Sequence, residues 1–272
     1  KTIQKIKKIN KDRLILVDIP GIKPRTLNKK SLNILKGQIV NFSFKKKGKD
    51  IIEISNPLPK SKKKNKFFYL SDGTFVFKNL GIKKNILSGI SLQNFELKPK
   101  KGLNIPFSIY NNKSQEKLYF LFLKKISKLN IDGVGLSFIQ SSKIISKIKK
   151  KYPNLIVISK IENYLGYENR KDIIKHSDSI MIDRGDLAAE VGAHKMFAYS
   201  DQIILESKKK GKPIIVATEN LNSLILNSTP SKSDIVNLEY YLHKKVEFLM
   251  LSDETATSNN AKNTVSWLKN YL

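Results

Sequence analysis

The stretch Leu155-Ile-Val-Ile-Ser-Lys-Ile-Glu162, followed by Ser179-Ile-Met-Ile-Asp-Arg-Gly-Asp186, decides the architecture. Each segment carries an apolar run, Leu155 to Ile158 and Ile180 to Ile182, and ends on charged residues, and a helix-like segment, Glu168 to His176, lies between them. Short apolar runs without polar alternation mark strands buried on both faces. Their alternation with amphipathic helices marks a parallel sheet assembled from βα units.

On either side the same pattern predicts strands at Gly133 to Phe138, Pro213 to Thr218 and Phe248 to Glu254. Helices are expected near Ser141 to Lys151, Lys195 to Lys210, Lys232 to Lys244 and Ala261 to Tyr271. Leu14 to Asp18 resembles the buried strands and extends the α/β domain to the start of the chain. The region from about 27 to 106 differs. Its runs (Gln38 to Phe44, Asp50 to Ile54, Phe67 to Leu70, Thr74 to Phe77, Ile90 to Leu97) are short and separated by Gly, Pro, Asn and Lys-rich turns. That pattern predicts a small antiparallel β domain inserted into the α/β domain.

With 272 residues, 40% of them hydrophobic, the chain can bury a sizeable core and is too apolar for a disordered basic tail. It has no cysteine, which excludes disulfides, thiolate metal sites and cysteine nucleophiles. No apolar run reaches the ~18 to 20 residues of a membrane span, and charge is interspersed through residues 1 to 25. A soluble, cytoplasmic protein is the expectation. The formal net charge is +28, yet only four of the 51 basic residues are arginine (Arg13, Arg25, Arg170, Arg184). Lysines spread over the whole length read as a solvated surface rather than a nucleic-acid face, where arginine is favoured. Such a field still attracts anionic small molecules.

Polar groups gather at the C-terminal ends of the predicted strands: Asp18, Ser137, Lys160 with Glu162, Asp183 to Asp186, Thr218, and Ser252 to Glu254. In parallel α/β sheets and barrels that rim carries the active site. Strand periodicity sends Lys160 and Glu162 to one face. Asp186, one strand along, adds a second carboxylate facing the same point, and two carboxylates are the usual protein share of a Mg²⁺ site. Gly185 permits close backbone approach, and the N–H groups opening the next turn can hold a carboxylate or phosphate. Thr218 offers a hydroxyl at the following strand end. His176, His194 and His243 lack metal-ligand spacing, and neither glycine-rich phosphate-loop pattern occurs. The aromatic residues Phe67, Phe68, Tyr69, Phe75 and Phe77 read as core of the β domain.

Taken in order, Asp18-Ile-Pro-Gly-Ile-Lys-Pro-Arg-Thr26, Leu70-Ser-Asp-Gly73, Lys101-Gly-Leu-Asn-Ile-Pro106, Ile158-Ser-Lys-Ile-Glu-Asn163, Ile180-Met-Ile-Asp-Arg-Gly-Asp-Leu187, Ile215-Val-Ala-Thr218 and Met250-Leu-Ser-Asp-Glu-Thr-Ala256 resemble the pyruvate kinase family. The resemblance implies a (β/α)₈ domain of the TIM-barrel type, with a β-barrel lid inserted after the third strand. Residues 1–20 and 107–272 then form the barrel domain, represented by strands three to eight, and residues 21–106 form the lid. The implied reaction is phosphoryl transfer from phosphoenolpyruvate to ADP, giving pyruvate and ATP in glycolysis.

By the same resemblance Lys160 and Thr218 are catalytic, and Gly185, Asp186 and Thr218 bind the substrate. Glu162 and Asp186 hold Mg²⁺, with Mn²⁺ as an alternative. Arg25 and Lys101 contact the nucleotide phosphates, and Asp72 is a lid aspartate that approaches on closure. Lys23 places an ammonium where potassium-dependent members have glutamate, so K⁺ is not required. The implied partners are small molecules, with room for homo-oligomers and no role for nucleic acid or membrane. Departures stand at Ile19-Pro20, at Asp183 where a small residue is usual, at Glu219-Asn220, and at Asn237 and Tyr240. They leave open a relative that binds metal or nucleotide without turnover. Another phosphoenolpyruvate or pyruvate enzyme on the same barrel is a further alternative.

Overall fold

A computed structural model describes residues 2–48, 50–251 and 253–272. Helix α1 (Thr2–Ile9) leads into strand β1 (Leu16–Ile19). Ten short strands follow: β2 (Leu32–Ile34), β3 (Ile39–Ser43), β4 (Ile51–Glu53), β5 (Lys60–Ser61), β6 (Phe67–Leu70), β7 (Phe75–Lys83), β8 (Ile86–Ser91), β9 (Phe95–Leu97), β10 (Leu103–Asn104) and β11 (Ser108–Ile109). The chain then alternates through α2 (Asn112–Ile126), β12 (Gly133–Leu136), α3 (Ser142–Lys151), β13 (Ile156–Lys160), α4 (Tyr164–Glu168), α5 (Arg170–His176) and β14 (Ser179–Asp183). It continues with α6 (Arg184–Val191), α7 (Ala193–Lys209), β15 (Ile214–Ala217), a 3₁₀ turn at Asn222–Ile225, α8 (Lys232–His243), β16 (Phe248–Met250), α9 (Asp253–Thr257) and α10 (Ala261–Tyr271).

Six strands form one parallel sheet in the order β1-β12-β13-β14-β15-β16. Sequence order and spatial order agree, as expected of successive βα units. Alternate residues serve opposite faces. Val157, Ile161, Ile180, Ile182, Ile214 and Val216 join Tyr119, Ile145, Ile173 and Ile203 in the large core beneath the helices. Ile158, Met181, Ile215 and Ala217 form a smaller cluster on the other face. Full burial of one such aliphatic side chain is worth about 1.5–3 kcal/mol, so the helix-covered face carries most of the packing energy.

The residues between β1 and α2 build a second sheet, ordered β10-β6-β7-β8-β3-β4, with its own core of Phe42, Phe68, Phe77, Leu87 and Leu97. Phe68 and Phe77 stack at 5.0 Å, Phe42 meets both edge-on and Phe75 packs against this core, so Phe68, Phe75 and Phe77 are packing residues, as expected. Phe67, on the alternate face of β6, is instead 39% exposed and Tyr69 is only half-buried, because successive side chains of a strand point to opposite faces. Its pairs are antiparallel except β3 with β4, which runs parallel and departs from the expected all-antiparallel pattern. The chain leaves β3 through Gly48 and re-enters in the same direction at Ile51, where the Ile51 N–H bonds the Gly48 carbonyl. Among the described residues no helix is long and apolar enough to cross a membrane.

The expected strands from Gly133 onward end early, most of all the two expected to reach Asp186 and Glu254. β14 stops at Asp183, because Asp183 caps a helix by accepting the Asp186 N–H, so Arg184-Gly185-Asp186 opens α6 instead of extending the strand. β16 stops at Met250 and α9 begins at Asp253; Ser252 lies outside the described residues.

Candidate active site

The C-terminal ends of β1, β12, β13, β14 and β15 meet the second sheet across a cleft of about 610 Å³. Asp18, Lys23, Arg25, Asp72, Lys101, Lys160, Glu162, Asp183, Gly185, Asp186 and Thr218 all line it. The sequence-predicted site residues therefore come together in one place.

Lys160 shares its strand face with Ile158, and the ladder continues one residue beyond it through the Ile161 N–H to the Met181 carbonyl. That extension carries Glu162 back to the same side, with Oε2 3.4 Å from Lys160 Nζ. The ammonium, 6% exposed, also reaches Asp18 Oδ2 at 2.9 Å and Asp183 Oδ2 at 3.4 Å. Burial opposes its charge, but Glu162, Asp18 and Asp183 prevail and hold it above the ordinary lysine range. Gly135 makes this possible from the neighbouring strand, since a Cβ there would stand 2.8 Å from Asp18 Oδ1.

Glu162 is fully buried. Its Oε1 accepts the Phe138 N–H at 2.8 Å, whereas Oε2 has no hydrogen-bond partner among the described residues. Burial pushes this carboxyl well above its usual value, against the pull of Lys160. Glu162, Asp183 and Asp186 offer oxygens within 4.8 Å of one another. Five carboxylates (Asp18, Asp72, Glu162, Asp183, Asp186) face the buried ammoniums of Lys23 and Lys160 in a protein whose net charge is strongly positive. A buried oxygen with no hydrogen bond and only the Lys160 ammonium at 3.4 Å, amid surplus carboxylates, is the environment a hard divalent cation satisfies, so the residues present fit Mg²⁺ or Mn²⁺.

Lys23, 2% exposed, bridges the two sheets: its ammonium pairs with Asp72 Oδ1 at 2.5 Å and with Asp186 Oδ1. Burial disfavours its charge, yet Asp186 and Asp72 raise it above the ordinary range. Asp72 is lowered in return: burial works the other way, but Lys23 prevails. Burial pushes Asp186 up to about 6 despite Lys23. Gly102 leaves the space, since a Cβ there would lie 2.2 Å from Lys23 Cε. Arg25 and Lys101 stand farther out at the rim, where the Arg25 guanidinium reaches the Lys100 carbonyl at 3.4 Å.

Thr218 adopts the left-handed backbone region, φ 64°, which a β-branched residue rarely enters. Buried Arg184 holds it there. The guanidinium donates to the Thr218 carbonyl, to the Ala217 carbonyl at 3.3 Å, to Asn220 Oδ1 at 2.9 Å and to Asn237 Oδ1 at 2.5 Å. Asn237, one of the departures, thus accepts from this guanidinium. The Thr218 hydroxyl accepts the Gly185 N–H at 3.2 Å and lies 3.4 Å from Asp183 Oδ1.

Sequence reasoning assigned no role to Asp183, Asn104 or Glu190, and it placed Asp18 at the rim without a partner. Period-2 alternation from Met181 could have found Asp183. Asp186 and Glu190, one helical turn apart, could have been paired by i,i+4 spacing.

The family model for the barrel domain of pyruvate kinase matches residues 1–265. Pyruvate kinase of Thermotoga maritima is 29% identical over 255 residues, covering 90% of this chain and 55% of its own. That of Thermococcus litoralis is 29% identical over 269 residues, covering 94% and 57%. The Staphylococcus saprophyticus enzyme is 28% identical over 289 residues, covering 99% and 48%. The chain spans about half the length of the curated relatives it matches.

Proposed function

This chain belongs to the pyruvate kinase barrel-domain family, and from that premise we propose that its cleft transfers the phosphoryl group of phosphoenolpyruvate to ADP, giving pyruvate and ATP. The observation that carries this reading is the convergence of Lys160, Glu162, Asp186 and Thr218 in one cleft.

Glu162 and Asp186 hold the divalent cation, Mg²⁺ or Mn²⁺, with Asp183 beside them. When bound, the ion neutralises charge on phosphoryl and substrate oxygens. Phosphoryl transfer asks the protein mainly for positioning and charge, and a buried ammonium with a raised pKa meets that need at Lys160. Gly185 and Asp186 N–H groups, at the start of α6, orient the substrate carboxylate, and the Thr218 hydroxyl handles the proton at the enolate carbon. Arg25 and Lys101 bind the nucleotide phosphates. Lys23 supplies a fixed ammonium in place of K⁺.

In this reading residues 21–106 are a lid domain and residues 1–20 and 107–272 the barrel domain. Asp72 travels with the lid, and closure excludes water. The reaction is cytoplasmic, its partners are small molecules, and copies of the chain have room to associate.

One observation favours a second reading, a relative that binds without turnover. Asp183 Oδ1 lies 3.4 Å from both the Asp186 N–H nitrogen, which the first reading needs for the substrate carboxylate, and the Thr218 hydroxyl, which it needs at the enolate carbon. The test is pyruvate formation from phosphoenolpyruvate, ADP and Mg²⁺, repeated with Lys160→Met. Turnover reduced about 100- to 1,000-fold by the substitution supports transfer. Metal or nucleotide binding without lysine-dependent turnover supports the second reading.

A further inference from the structure

Glu190 is a buried carboxyl that the proposed reaction does not use. It lies one turn beyond Asp186 on α6 and is fully buried. Oε1 accepts the Tyr110 hydroxyl at 2.9 Å and one Nδ2 hydrogen of Asn104 at 3.2 Å. Asn104, also fully buried, gives its other Nδ2 hydrogen to Asp186 Oδ1 at 3.2 Å. One amide is therefore stretched between two carboxylates of the same helix. Glu190 Oε2 and Asn104 Oδ1 have no hydrogen-bond partners among the described residues.

This arrangement is a costly way to fill a core. Burial pushes Glu190 up to about 8 even with Tyr110 and Asn104 donating to it. Apolar residues of similar volume often serve stability as well or better at such positions. What the polar arrangement supplies is direction. Asp186 Oδ1 is gripped by Lys23 on one side and Asn104 on the other, which fixes the plane of its carboxylate. Asn104 comes from β10, paired to β6 in the second sheet, and the Phe107 N–H bonds the Glu190 carbonyl at 2.9 Å. The returning segment of that sheet is thus tied to the helix bearing Asp186.

We propose that Glu190 is a positioning residue: it holds Asn104 so that the amide orients the Asp186 carboxylate for the divalent cation, and it couples that orientation to the place of the second sheet. The proposal rests on the assignment of Asp186 as a metal ligand.

Mn²⁺ binding to the full chain, followed by the electron paramagnetic resonance of free Mn²⁺ without substrates, tests it alongside thermal melts. Glu190→Met keeps the volume and removes the acceptor. It is expected to melt no lower than the parent and to bind Mn²⁺ roughly tenfold or more weakly, the scale found when groups orienting metal ligands are lost. Asn104→Ala should match it, and the double variant should be no weaker than either single one, because Glu190 acts through Asn104. Glu190→Gln, which keeps an acceptor for Asn104, should restore parental affinity. Unchanged Mn²⁺ affinity in Glu190→Met, additive losses in the double variant, or outright unfolding of Glu190→Met would overturn the positioning role and leave the metal assignment standing. Failure of the parent chain to bind Mn²⁺ would remove the metal assignment and this inference together.

Discussion

Asp183 lies 3.4 Å from the Thr218 hydroxyl, across the gap between the ends of β14 and β15. The same oxygen stands 3.4 Å from the Asp186 nitrogen, and its partner oxygen is 3.4 Å from Lys160. A negatively charged side chain therefore rests where donors converge. Replacing Asp183 by alanine frees those donors and removes repulsion of an anionic ligand. Phosphoenolpyruvate affinity, measured by calorimetry in saturating Mg²⁺, is expected to rise about tenfold, equivalent to ~1.4 kcal/mol. A fall would instead make Asp183 part of the cation's cage.

Lys23 places a permanent charge between Asp72 and Asp186. Turnover in potassium-free buffer is expected to equal turnover in added K⁺. Lys23→Glu should reverse this, giving an enzyme active only with a monovalent cation. A parental enzyme that is silent until K⁺ is supplied would refute the substitution of ammonium for ion.

The berth for Lys23 depends on Gly102. A methyl group there would meet both the Cε and, at 2.6 Å, the Nζ of the lysine. Gly102→Ala is expected to lower stability by about 1–3 kcal/mol through overpacking, read as a drop in melting temperature. Combining it with Lys23→Ala should recover most of that loss, since the clashing side chain is gone.

Glu190 sets a pH dependence of stability whose sign follows from burial. In the unfolded chain it ionises near the ordinary 4.5, in the folded chain near 8, so between these values the native state holds the extra proton. Stability of the metal-free protein should therefore fall as pH rises from about 4.5 to 8. Tyr110 and Asn104 donate to it, Asp186 adds repulsion and Lys23 attraction. Glu190→Gln should flatten the slope in chelator-containing buffer, and urea midpoints at pH 5 and pH 8 will read it.

Much of this site is legible along the chain because it is written at strand ends. Lys160 and Glu162 face one way by alternation, and Asp186 follows on the adjacent strand unit, so the core cluster needs only the knowledge that the sheet is parallel. The boundary at Asp183 was harder to read. Its side chain caps α6, and a capping aspartate after an apolar run looks the same in sequence as a further strand residue. Asn104 and Glu190 are separated by 86 residues and meet only because the second sheet returns beside α6. No local period carries that information. The parallel β3–β4 pair is likewise set by the path of a loop, not by the apolar pattern of either strand.

The left-handed backbone at Thr218 sets durability against chemistry. Glycine would adopt that conformation without strain, and such conformations cost side-chain-bearing residues of order 1–3 kcal/mol. A glycine here would make a sturdier molecule with no hydroxyl to offer. Random mutagenesis selected only for heat resistance should find that exchange, and the survivors it yields would have forfeited the threonine oxygen that accepts from Gly185 and lies beside Asp183.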